Sequence, residues 1–118
     1  DDTRYILAYM QPQEPEVAIN DLDMGLYRME NMMSFPLVEN YKIKLDPRMP
    51  SMGNHSSPNN EDLHFNNIEK CYSGKLSLTM TGYWKLNLIL LDENEEVLKG
   101  EAVTDANEAS SLFLEIEF

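Results

Sequence analysis

The chain has 118 residues, 42% of them hydrophobic, which is enough for one domain that folds without a disulfide framework. Nine basic residues against 21 acidic ones leave a net charge of −12, which excludes nucleic acid and anionic membrane surfaces as primary partners, since both need a basic footprint. The single cysteine, Cys71, excludes an internal disulfide and multi-cysteine metal centres, and no apolar run approaches the roughly 18 residues of a membrane span.

Tyr5 to Met10 reads as a first strand stopped by Pro12 and Pro15. Val17–Ile19 and Asp23–Met29 read as pieces of a second, with Gly25 inside; a helix over Asp21–Met33 is opposed by Gly25 and by Ser34-Phe35-Pro36. Tyr41, Ile43 and Leu45 alternate with Lys42, Lys44 and Asp46, the pattern of a strand with one buried face. Asp46 to Asn67 holds three prolines and no periodicity, so it is expected to be a long functional loop. Period two resumes in Leu76, Leu78 and Met80, and again in Trp84, Leu86, Leu88 and Leu90. The second face of that last segment carries Ile89 and Leu91, which marks a central strand. Gly82-Tyr83 is the turn between these two strands. Asp92–Glu96 forms a polar hairpin tip, Val97–Val103 is expected to return antiparallel, and Leu112, Leu114, Ile116 and Phe118 give a closing strand.

About seven short strands with turn signals between them point to an all-β, immunoglobulin-like antiparallel β-sandwich, one domain over 1–118, with a small barrel as the alternative. Trp84, Leu86, Leu88, Leu76 and Leu78 are its expected core.

Chemistry concentrates in Pro47–Pro58, where Met49, Met52 and His55 fall within one proline- and glycine-broken segment. Thioethers are soft ligands suited to Cu(I), and imidazole serves either copper oxidation state, so the donor set is directed toward copper rather than hard cations. Met80 is the candidate fourth ligand; His64 lies further along, and Cys71 is a lesser alternative. The same methionines equally read as a cap over the open end of the sandwich, because methionine fills irregular gaps. Met10, Met24, Met29, Met32 and Met33 are assigned to core or rim. No nucleophile elbow, glycine-rich phosphate loop or His-Glu-x-x-His pattern occurs, which argues against an enzyme.

The segments Phe35-Pro36-Leu37-Val38-Glu39-Asn40-Tyr41, Pro47–Asn59, Tyr72-Ser73-Gly74-Lys75-Leu76 and Met80-Thr81-Gly82-Tyr83-Trp84-Lys85-Leu86 resemble the YtkA-like (FixH-related) domain of Bacteroidetes-type cell-envelope proteins. The resemblance covers roughly Val17 to Leu91. It implies an immunoglobulin-like sandwich outside the cytoplasm, in the periplasm or cell envelope, held by a lipid or membrane anchor upstream of Asp1. A chain that opens on Asp1 without methionine is in turn expected of an excised domain or processed protein. Copper-associated settings in the family map its methionine loop onto Met49, Met52 and His55, and its Met-x-Gly-x-Trp turn onto Met80, Gly82 and Trp84. Asn54 stands where relatives often carry histidine. The expected partners are a copper ion or an envelope protein.

Overall fold

A computed structural model describes residues 2–118, and the attachment expected upstream of Asp1 lies outside them. The fold is all-β: nine antiparallel strands and one short 3-10 turn. The strands are β1 (Arg4–Gln11), β2 (Ala18–Met29), β3 (Lys42–Met49), β4 (His55–Ser56) and β5 (Glu61–Asn66), followed by β6 (Cys71–Leu78), β7 (Tyr83–Leu91), β8 (Val97–Lys99) and β9 (Phe113–Glu117). They form one curled sheet in the order β1-β2-β6-β5-β3-β7-β8, with β4 added to β3 and β9 to β7. The join between β5 and β3 is only two registers long, Lys42 opposite His64 and Ile43 opposite Leu63. By contrast β3 and β7 pair over seven, from Lys42 opposite Leu91 to Arg48 opposite Lys85. No helix among the described residues is long and apolar enough to cross a membrane.

Alternation sorts the side chains. Leu22, Met24 and Leu26 of β2, Leu76 and Leu78 of β6, and Trp84, Leu86, Leu88 and Leu90 of β7 are all buried, together with Ile43, Leu63 and Tyr72. Burial of each large apolar side chain contributes on the order of 1.5–3 kcal/mol. As its two apolar faces imply, β7 is central, flanked by β3 on one side and by β8 and β9 on the other.

Three expectations change. The two pieces foreseen around Asp21 and Asp23 are one 12-residue strand, β2, because the acidic residues occupy its outward positions while Leu22, Met24 and Leu26 keep the inward ones. The segment Asp46–Asn67 is no long loop. β3 continues through a buried Pro47 to Met49, and the chain then turns tightly into β4 and β5. Pro47 is tolerated because β5 has already parted from β3 at that level, which leaves no ladder bond for a missing N–H to break. The return strand after the Asp92–Glu96 turn stops at Lys99 rather than Val103. Gly100 takes φ +89°, and a Cβ there would stand 2.3 Å from the Leu88 carbonyl oxygen, so only glycine lets the chain swing away at this point.

Registers place the ends of the sheet. Arg4, Met29, Lys42 and Leu91 lie at one end; Leu78, Met49, Tyr83 and Glu117 lie at the other.

Candidate metal centre

All four candidate ligands gather at the second of these ends. The alternation of β3 turns Ile43, Pro47 and Met49 inward, and Met49 is 2% exposed. Its methyl carbon reaches the turn between β6 and β7: a Cβ on Gly82 would lie only 3.0 Å from Met49 Cε. Gly82 also has φ +132°, so both its backbone angle and the methionine occupying its side-chain space call for glycine.

From Met49 the chain makes the 3-10 turn Pro50–Met52 and comes back as β4, with His55 directly opposite Met49 and Ser56 opposite Arg48. Directly opposed residues on antiparallel strands have Cα atoms about 4.5–5.5 Å apart. Met52 rides on the turn, 54% exposed; His55 is exposed; Met80, in the turn that Met49 touches, is 38% exposed. The structure thus brings Met49 together with His55 and with the Met80 turn, and leaves Met52 at the outer rim of the same end.

The segment is held on several sides. Arg48 grips Asp46 with two donors, Nε at 2.8 Å and the second guanidinium nitrogen at 3.1 Å, and donates also to the Asn54 carbonyl at 3.3 Å. Ser56 Oγ donates to the Pro47 carbonyl at 3.1 Å. Asn54 adopts φ 58°, a left-handed conformation that asparagine tolerates, and its side-chain amide donates to the Glu108 carbonyl at 3.2 Å. The asparagine therefore fastens the loop to the C-terminal segment. On the facing turn, Trp84 Nε1 donates to the Met80 carbonyl at 3.0 Å, and Gly82 exchanges backbone hydrogen bonds with Phe118 at 3.0 and 3.2 Å.

The other sulfur and imidazole groups lie elsewhere. His64 is on the outer face of β5, in a groove shared with Asp62 and Ser73. Cys71 is buried at the start of β6, at the first end of the sheet, with Sγ 3.8 Å from Ser73 Oγ. Met24 is wholly buried, whereas Met32 and Met33, expected at core or rim, stand 88% and 91% exposed at the tip of a turn closed by Glu30 and Ser34. Among the described residues no group of three or more His, Cys, Asp or Glu side chains is disposed to hold a metal, so any ion at the Met49 end would depend on thioether sulfur.

Two features here escape a reading by pattern. Met49 belongs to the core as well as to the loop, a double placement visible only once the β3 alternation is carried through Pro47. The Asn54–Glu108 tether joins residues 54 positions apart and has no local signal. No family model, curated protein or solved structure matches the chain.

Proposed function

We propose that this chain is a non-catalytic, extracytoplasmic binding domain of the cell envelope that takes up Cu(I) through Met49, Met52 and His55, with Met80 as fourth ligand. The proposal includes a YtkA-like affiliation and an immunoglobulin-like reading of the curled sheet, supported by the two-register junction between β5 and β3, at which the sheet nearly divides into two layers. The observation that carries the copper reading is the pairing of Met49 with His55 across β3 and β4, beside the Gly82 turn that bears Met80. Two thioethers and an imidazole in reach of one another select Cu(I) by softness, and place Zn(II) and Mg(II) at a disadvantage. Exposure of Met52, His55 and Met80 suits a weak, exchangeable site that loads and unloads from solvent.

The test is an anaerobic Cu(I) titration against a chromophoric chelator. Wild type is expected to compete for the ion, and Met49→Leu combined with Met52→Leu to lose at least about tenfold in affinity while keeping its fold, since Met-to-Leu exchange usually costs under about 1.5 kcal/mol. Equal uptake by both proteins would sink the copper reading. A second reading, a metal-free assembly module, is favoured by the bare Met32-Met33 tip, because surface methionines of this kind serve adaptable protein contacts.

A further inference from the structure

The curl of the sheet brings its two borders face to face. β1 terminates the strand order on one side, and β9 lies along the other, paired only to β7. Between them runs a groove of about 430 Å³ whose walls include Tyr5 and Leu7 of β1 and Leu112 and Leu114 at β9. The charged side chains lining it are Arg4 and Lys99, both cationic, in a molecule of net charge −12.

A border strand presents a row of backbone N–H and C=O groups, and folded proteins usually shield such a row with lysine, proline, a bulge or a covering loop. β1 carries none of the side-chain devices over Tyr5-Ile6-Leu7-Ala8-Tyr9-Met10, and its one register shift comes after Tyr9, beyond the groove. An unshielded strand beside an apolar trough is the receiving half of strand addition, in which main-chain bonds give affinity and alternate side chains give selectivity. The cationic lining sets the sign of the arriving strand.

We propose that this groove is the docking site for an extended acidic strand of a partner polypeptide. The strand adds to β1 through its backbone, seats alternate apolar side chains on Tyr5, Leu7, Leu112 and Leu114, and lays carboxylates against Arg4 and Lys99. The inference is independent of copper: the groove shares no residue with Met49, Met52, His55 or Met80.

The experiment is a titration of the isotope-labelled chain with three blocked heptapeptides, followed by amide chemical shifts. One alternates valine with glutamate, one replaces the glutamates by lysine, and one carries proline at its centre. The glutamate peptide is expected to shift the amides of Tyr5–Tyr9 and Leu112–Leu114 saturably, the lysine peptide to bind at least about tenfold more weakly, as befits a charge-selected site, and the proline peptide to fail. Arg4→Glu, on an exposed residue, should reverse the order of the first two without unfolding the chain. Shifts confined to other strands, or a lysine peptide that binds as well as the glutamate one, would overturn the proposal. So would a concentration-dependent dimer with β1 amides protected and no response to peptide, which would assign the groove to a second copy of this chain.

Discussion

Single side chains carry much of the stability. Trp84 is wholly buried with its indole N–H satisfied by the Met80 carbonyl, so it serves both as core filler and as the clasp of the Gly82 turn. Trp84→Ala is expected to cost about 3–5 kcal/mol in urea melts; a loss under about 1 kcal/mol would deny it the core. Tyr72 is the other polar-tipped residue in the interior. Its hydroxyl donates to the Val38 carbonyl at 2.7 Å and accepts from the Tyr41 N–H at 3.2 Å, while its ring lies 5.3 Å from that of Phe65. Burial raises the phenol from 10.0 to about 12. The folded chain therefore holds this proton more firmly than the unfolded chain does. The resulting stability is complete below pH 10 and drains away as pH rises toward 12. Burial pushes Tyr9 in the same direction, and the Glu115 carboxylate beside Tyr83 does likewise for that phenol. Tyr72→Phe should cost about 1–3 kcal/mol at neutral pH, by stranding the Val38 carbonyl, and should flatten the alkaline limb of the stability–pH curve. An unchanged alkaline limb would show that other tyrosines dominate it.

At the level of elements, a strand is legible in sequence where its inward residues are apolar and its outward ones polar without exception. β6, β7 and β9 satisfy this, and with them the core around Trp84 and Leu76 follows from spacing alone. β2 is obscured by Asp21, Asp23 and Gly25, and β3 by a proline that ordinarily ends a strand; in both, a neighbouring ladder outweighs local preference. The candidate ligands come to one end of the sheet because β3 and β7 are antiparallel neighbours, a pairing that local pattern does not disclose. Asn87 is the clearest concealed residue. It reads as a solvated break in an apolar run, yet it is 3% exposed: its side chain donates to the Asp46 carbonyl at 3.1 Å and accepts the Ser110 N–H at 2.9 Å. Ser110 in turn donates to the Leu88 carbonyl at 2.8 Å and accepts from the Glu101 N–H at 3.0 Å, which binds the irregular 100–111 segment to the central strand. Sequence reading has no means of joining residues 23 positions apart through a serine. Ser110→Ala is expected to cost about 1–3 kcal/mol and to speed hydrogen exchange at Glu101 and Leu112 more than in β7. Uniform exchange across the segment would remove the latch from this account.

For the whole molecule, the directions of the outermost strands carry a mechanical consequence. The chain enters β1 at the end of the sheet marked by Met29 and leaves β9 at the opposite end, beside Tyr83. A pull applied at Arg4 and Phe118 therefore runs along both strands rather than across them. Each ladder, β1 with β2 and β9 with β7, is loaded in shear, so its rungs share the tension instead of parting one by one as in a zipper. Resistance to force is a matter of unfolding rate more than of equilibrium stability, and rung-sharing raises that barrier. Pulling single molecules from these two points should give a markedly higher rupture force than pulling β1 sideways through Arg4 and Gln11, where the strand peels. Equal forces from the two geometries would show that some element other than the terminal ladders yields first. A tether between an anchored surface and a moving partner is where such directional toughness would matter.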